Sequence, residues 1–504
     1  MSKRIGLLIL LAITSGIALA AEKNTIKIEP LRGEKWWGLF VGRTPAEPFF
    51  QPFSVNTADG SSACDMVPML ISSSGRYLWS HSPVEVSFDG RTFTVSSSDE
   101  KLQVHRAGRT LREAYLVCRH KNPQDGPSEA CSAELFSSII YETEAEIGCM
   151  QDERTILDYA DRIVREGLPT GYIVIADGWR NAYGDYDFDR TLYPDPKGFV
   201  DALHEAGFKV MLTVTPYLPA SGRAFVGNLN GERLLTDGDR QPLLVRCDDG
   251  IHTVLNITDS QCRQSVLDRL REIESQYGID AFRFDCRALG EAENRSVATD
   301  VFVKVWRDMG GSFRVRELVG AGSISDAPAD GTSLQSFLSD VISSSLVAGG
   351  GIGAPAARWR YEDQTQLLCA MQVAAMMPAP HVPYAPWRIS DENLYARLKN
   401  TLLFRASLSD YMSRTARESN RTAEPIVRHM EYQFPRSGFA DCDDQFMLGD
   451  RYLVAPPLDD SPQRMVRLPK GVWTDMNGRR YKGPLVINAP VSDGRMICFE
   501  LQTK

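Results

Sequence analysis

The spacing of apolar and polar positions divides this chain into four stretches. Lys3 and Arg4 precede an apolar run from Ile5 to Ile13, and the small residues of Ala18-Leu19-Ala20 follow. A positive start, a short apolar stretch and an A-x-A site predict a cleaved secretory signal over residues 1–20. A membrane anchor is the competing reading, but the run is short against the roughly 20 residues of a full span. The next stretch, 21–135, holds short β-like runs broken by turn residues. Val84–Phe88 and Thr92–Val95 alternate on either side of Asp89-Gly90, a hairpin signal. This stretch predicts a β-sandwich, with a helix near Thr110–Arg119 leading out of it.

Between 136 and 420 the period changes. Asp152–Glu166 carries Ile156, Leu157, Ala160, Ile163 and Val164 at helical spacing. Gly171–Ala176 reads as a buried strand, Pro196–Ala206 as a helix and Phe208–Val214 as the next strand. Asp259–Tyr277 sets Cys262, Val266, Leu267, Leu270 and Ile273 on one side, and Gly278–Phe284 returns as a strand. Repeated β–α units predict a parallel sheet, either a barrel or doubly wound. No GxGxxG follows a strand and no GxxxxGKS/T occurs, which counts against nucleotide-binding folds. From 421 to 504 short strands return at Arg451–Ala455, Met465–Leu468 and Met496–Leu501, and predict a second β-sandwich.

Composition adds limits rather than identity. A length of 504 residues gives about three domains at roughly 150 residues each, in keeping with the pattern. With 43% hydrophobic and 24% charged residues the chain has a globular profile, which excludes wholesale disorder and fibrous repeats. The net charge of −9 argues against a nucleic-acid partner and favours a neutral or weakly polar substrate. No later run approaches about 20 apolar residues, so the mature chain is expected to have no membrane span and to be periplasmic or secreted. Ten cysteines, at 64, 118, 131, 149, 247, 262, 286, 369, 442 and 498, form no CxxC pair. Export permits disulfides, but the spacing does not reveal their pairing. The histidines form neither HxH nor HExxH, so a metal-dependent hydrolase has little support and no metal is assigned.

In a (β/α)8 barrel the catalytic groups sit on loops after the C-terminal ends of the strands. Two acids meet that criterion. Asp177 follows the apolar run Tyr172–Ala176 and opens Asp177-Gly-Trp179, and Asp285 closes Ala281-Phe-Arg-Phe284. Either one also suits a helix cap or a structural salt bridge.

Longer motifs carry a resemblance. Tyr183–Asp189, Tyr193–Gly198 and Leu203–Leu212 follow, in order, the pattern YGDFxFDxxxFPDPKGMxDxLHxxGFKVxLW. Phe282-Arg-Phe-Asp285 resembles a nucleophile strand usually written FKFD. Asp444–Asp450 with Leu453–Pro456 resembles DQFxLGxxLLVAPV, and Gly471–Asp475 resembles GxWxDxxxG. Together they resemble glycoside hydrolase family 31, in its branch of small bacterial members and α-galactosidase-like animal homologues, from about Val67 to the C-terminus. The resemblance implies a (β/α)8 TIM barrel flanked by an N-terminal and a C-terminal β-sandwich. It implies retaining hydrolysis of a small or oligosaccharide α-glycoside by two carboxyl groups about 5–5.5 Å apart, with no cofactor.

By the same resemblance Asp285 is the nucleophile. The acid/base falls on Asp330, in Asp330–Leu338, with Asp326 as its rival. Asp330 is otherwise the cap of a helix starting near Thr332. Asp177 is implied in binding sugar hydroxyls, with Trp179 as a stacking wall or else as a core aromatic. Arg283, Arg287, His381 and Trp387 complete the candidates for substrate binding, His381 being otherwise a structural histidine. The chain departs from the family at several of these places. Cys286 and Arg287 follow the nucleophile where small residues and an acid are usual, and Arg287 could receive an anionic substituent. Leu212-Thr213 stands where the family has Leu-Trp, Gly351–Pro355 lacks an acid, and Ala321–Asp326 shows no sign of the arginine that normally precedes the acid/base. A sugar-binding protein without turnover is therefore the competing expectation. The particular sugar and the oligomeric state are not legible.

Overall fold

The computed structural model describes residues 24–41, 48–57, 65–122, 132–148, 151–180, 184, 186–230, 233–237, 239–247, 250–290, 297–313, 315–319, 333–348, 363–491 and 496–502. The N-terminal part contains two four-stranded antiparallel sheets. One runs in the order Asn24–Ile28, Phe93–Ser97, Glu85–Phe88, Phe53–Asn56. The other runs Trp36–Val41, Asp65–Ser72, Arg76–Trp79, Val104–Arg106. Ile28, Val86, Phe93 and Val95 of the first share a core with Trp36, Phe40, Leu70 and Leu78 of the second. The hairpin at Asp89-Gly90 forms because the Asp89 carboxylate accepts from the amides of Arg91 and Thr92, while Gly90 takes φ +92°. Gly38 sits at a bulge with φ +137°, where a Cβ would lie 2.1 Å from the Met69 carbonyl oxygen, so only glycine fits.

The connecting helix covers Leu111–Lys121 and is capped by Thr110, whose hydroxyl accepts from the Glu113 amide. Its buried face, Leu111, Ala114, Tyr115 and Cys118, packs on Met69, Ile71 and Tyr77 of the second sheet. Arg112 on its outer side pairs with Glu424, far away in sequence, and Tyr432 donates to the same carboxylate at 2.8 Å.

The middle of the chain forms six parallel strands: β1 (Ile139–Glu142), β2 (Gly171–Ile175), β3 (Lys209–Val214), β4 (Ala281–Asp285), β5 (Arg316–Val319) and β6 (His381–Val382). They pair in the order β6-β1-β2-β3-β4-β5. The last strand thus joins the first, as in a barrel. Successive side chains alternate between two buried surfaces. Ile173, Ile175, Leu212, Val214, Phe282 and Phe284 face the surrounding helices. Ile140, Tyr172, Val174, Met211 and Ala281 belong to the second core, on the opposite face.

The helices follow the sequence closely, with instructive shifts. Helix α1 (Glu153–Arg165) begins at a capping box on Asp152, and buries Ile156, Tyr159, Ala160 and Ile163. Val164 lies at the edge of that stripe and is exposed, while Tyr159 takes its place inside. Helix α2 (Pro196–Glu205) starts with proline in its first turn behind Asp195, which suits proline's fixed φ and missing N–H. Helix α3 (Ser260–Tyr277) ends on Gly278 at φ +81°. That left-handed cap is why β4 begins at Ala281 rather than at Gly278.

The C-terminal strands form a six-stranded sheet among the described residues, in keeping with the β-rich C-terminal part expected. Its order is Val427–Arg428, Phe446–Leu448, Tyr452–Val454, Cys498–Leu501, Gln463–Asp475, Arg480–Pro490. Both faces of it are used. Phe446, Leu448, Val454 and Cys498 join the core containing Phe337 and Val341, while Met447, Leu453, Trp473 and Phe499 form a core of their own. Among the described residues no helix is long and apolar enough to cross a membrane. Among the described residues Cys118, Cys262, Cys369, Cys442 and Cys498 are free thiols.

Candidate active site

Strand β4 brings the first functional groups into place by its two-residue period. Phe282 and Phe284 face the helices, where they pack against Phe313 and Trp306. Arg283 and Asp285 therefore share the opposite face with Ala281, and both are buried. Asp285 is the last residue of its strand, at the C-terminal end where barrel chemistry collects. Tyr217 lies close enough to feel it. Burial first, then the charges of Cys286 and Asp285, push the Tyr217 hydroxyl far above its ordinary pKa. The same hydroxyl accepts from the Leu289 amide at 3.2 Å, which ties the turn after Asp285 to the wall of the barrel.

Glu142, the last residue of β1, was not anticipated from the sequence. Its Oε1 accepts from the Arg283 guanidinium at 3.0 Å and from His381 Nδ1 at 2.5 Å. A carboxylate can only accept, so the imidazole carries its proton on Nδ1. The 3.3 Å approach of Arg283 to Nδ1 is then the meeting of two donors on one oxygen. All three side chains are nearly inaccessible, with at most 7% exposed. Burial alone would raise the Glu142 pKa, but Arg283 and His381 outweigh it and hold the carboxyl well below the usual range. The available signal was an acid closing the apolar run Ile139–Tyr141, the criterion that marked Asp177 and Asp285.

A second polar group surrounds Asp177. Its carboxylate accepts from the Arg180 guanidinium at 2.5 Å, and the same nitrogen donates to the Thr215 hydroxyl at 2.9 Å. The Arg180 side chain is buried and Asp177 is 26% exposed, so the carboxylate meets the outside and the guanidinium backs it. Tyr186 donates to the Thr215 carbonyl at 2.8 Å and closes this group.

The remaining candidates fall in different surroundings. Trp179 is fully buried, packs on Phe188 at 5.1 Å and donates to the Thr213 carbonyl at 2.8 Å. The structure places it in the core behind the strands rather than on a pocket wall. Trp387 is half-buried against Tyr159, with the Arg162 guanidinium 4.3 Å from its ring, so it bridges to helix α1. His381 lies in the Glu142 group. Asp330, Asp326 and the Arg287 side chain lie outside the described residues.

Comparison with known proteins accords with this arrangement. Residues 143–320 match the model of the glycosyl hydrolases family 31 TIM-barrel domain, and residues 423–499 match the family 31 C-terminal domain. The myogenesis-regulating glycosidase of Mus musculus is 28% identical over 413 residues, covering 75% of this chain and 56% of that protein. Alpha-xylosidase XylQ of Lactiplantibacillus pentosus is 23% identical, covering 83% of this chain and 60% of that protein. The chain thus spans less than two thirds of the length of these relatives. Among solved structures, a soil-metagenome GH31 alpha-xylosidase complexed with xylose superposes with a TM-score of 0.74 at 18% identity, over 95% of this chain and 79% of that one. A Flavobacterium johnsoniae GH31 dextranase complexed with isomaltotriose gives 0.77 at 16% identity, over 95% of this chain and 66% of that one.

Proposed function

The chain belongs to glycoside hydrolase family 31, and from that premise we propose that it is an exported retaining α-glycosidase acting on terminal α-linked sugars. The observation that carries this reading is the position of Asp285. It ends β4 on the face opposite Phe282 and Phe284, at the C-terminal end of the strand. In the first step the Asp285 carboxylate attacks the anomeric carbon. The bond to the leaving oxygen breaks, and Asp330 donates its proton to that oxygen. In the second step Asp330, now a carboxylate, takes a proton from water as the water oxygen attacks the same carbon. The ester to Asp285 breaks, and both carboxyl groups return to their starting states. Two inversions give net retention. Asp177, backed by Arg180, holds sugar hydroxyls at the rim, and His381 with Arg283 lines the inner side. Export rests on the pattern of residues 1–20, with delivery to the periplasm or beyond.

The test is kinetic. Asp285→Ala is expected to lower turnover of an aryl α-glycoside, selected from gluco, galacto and xylo panels, by at least about a thousandfold. Wild-type turnover in that variant overturns the assignment. A second reading is a sugar-binding protein without turnover. It is favoured by Thr213, which stands where the family has tryptophan. It predicts saturable binding and no release of aryl alcohol from any panel member.

A further inference from the structure

Two cysteines come together beside the strand end that carries Asp285. Between β3 and β4 in the chain, Tyr217–Pro219, Gly250–Val254 and Leu244–Cys247 pair in that order as a small antiparallel sheet. Side chains alternate along Leu244–Cys247, so Cys247 shares the inner side with buried Val245, while Leu244 and Arg246 point outward. Cys247 is partly buried and packs against the core that contains Tyr217, Phe284 and Cys286. Cys286 follows Asp285 directly and is fully buried there. The helical turn Arg287–Gly290 that comes next packs on Leu244–Cys247, with Cα atoms of the two approaching within 8 Å. A disulfide spans Cα atoms about 4.4–6.8 Å apart, close to that approach. The Leu289 amide in the turn donates to the Cys286 carbonyl at 3.1 Å and to the Tyr217 hydroxyl at 3.2 Å. That hydroxyl lies within the electrostatic reach of Cys286 and Cys247 alike, since both thiols help to push its pKa upward.

We infer that Cys247 and Cys286 are a redox pair: oxidation joins their sulfurs in a disulfide that ties the small sheet to the strand end bearing Asp285. The unequal exposure of the two sulfurs sets the order of events. Cys247, the more accessible, attacks a small disulfide oxidant such as oxidised glutathione. The oxidant's S–S bond breaks, one glutathione leaves as a thiol, and the other stays on Cys247 as a mixed disulfide. Cys286 then attacks the Cys247 sulfur, and the second glutathione leaves. The proton of each cysteine ends on a departing glutathione. Two protein thiols are oxidised by two electrons, and one oxidant disulfide is reduced to two thiols. An oxidising export compartment supplies such an oxidant in the cell. In that respect the inference leans on the exported reading, but the pairing rests on packing and not on turnover. The two cysteines are 39 positions apart in sequence. A bridge closing a loop of that size stabilises mainly by constraining the unfolded chain.

The experiment uses the full chain, reduced and then held with oxidised glutathione. The protein is alkylated under denaturing conditions, digested without reductant and analysed by mass. One linked pair of peptides, carrying Cys247 and Cys286, is expected, and dithiothreitol should abolish it. The melting temperature should rise by at least about 3 °C on oxidation. Cys247→Ser and Cys286→Ser should each remove the linked pair and the shift. Cys247→Ser, at the partly exposed position, carries this arm if the buried Cys286→Ser does not fold. Both cysteines fully alkylated after oxidation, or either one linked to a different cysteine, overturns the inference. Glutathione that stays on Cys247 without transfer to Cys286 overturns it too. No sugar enters these measurements, so failure of the glycosidase reading shows separately, as absent turnover with the linked pair intact.

Discussion

Glu142 on β1 accepts a hydrogen bond from Arg283 on β4 at 3.0 Å, although β2 and β3 lie between those strands in the sheet. The contact therefore crosses the inside of the sheet rather than running along it. A pair this buried is sensitive to loss of one partner and much less so to loss of both. Arg283→Met should lower unfolding free energy in urea by about 3–5 kcal/mol. The double variant Glu142→Met with Arg283→Met should recover most of that loss. A single variant costing less than about 1 kcal/mol would mean that the pair is not desolvated as described.

Trp179 gives a second expectation. Its indole is fully buried and bonded to the Thr213 carbonyl. Trp179→Phe should therefore cost about 1–3 kcal/mol of stability through a lost hydrogen bond and an unfilled volume. Sugar affinity should stay within about twofold, because a ring held in the core offers no face for a sugar to pack on. A large loss of sugar affinity with unchanged stability would put Trp179 on the pocket wall instead.

The fold was legible where period and punctuation agreed. Asp152, Asp195 and Asp259 each precede a helix that begins on the next residue, and each side chain caps it. The runs at Gly171, Phe208 and Ala281 became β2, β3 and β4 because continuous apolar stretches of that length suit strands buried on both faces. The site was legible only in part. Asp177 and Asp285 stand out because each closes such a run. Glu142 satisfies the same rule, but its meaning comes from Arg283 and His381, which lie 141 and 239 residues away. No local pattern reports that meeting. Trp179 shows the opposite problem, since its place beside Asp177 in sequence says nothing about which side of the strand its ring takes.

Acid sensitivity supplies a third expectation. His429 is buried against the Trp37 ring and caps the turn at Met430 by accepting from the Glu431 amide. Burial first, and the charge of Arg467 second, push its pKa down to about 3. The unfolded chain has a histidine near 6.5. Between those values the unfolded state binds a proton that the native state refuses, so stability falls as pH drops through that window. Melting temperatures measured from pH 7 to pH 4.5 should decline more steeply for the wild type than for His429→Asn, which keeps a capping side chain. Parallel declines would show that another group dominates.

The central claim is that Asp285 forms the covalent glycosyl-enzyme. The most direct measurement is peptide mass analysis of the protein after exposure to a 5-fluoro-α-glycosyl fluoride of the sugar it turns over. One added fluoroglycosyl mass is expected on the peptide carrying Asp285, and none in Asp285→Asn. Steady turnover with no label on that peptide, or a label on a different carboxylate, would contradict it.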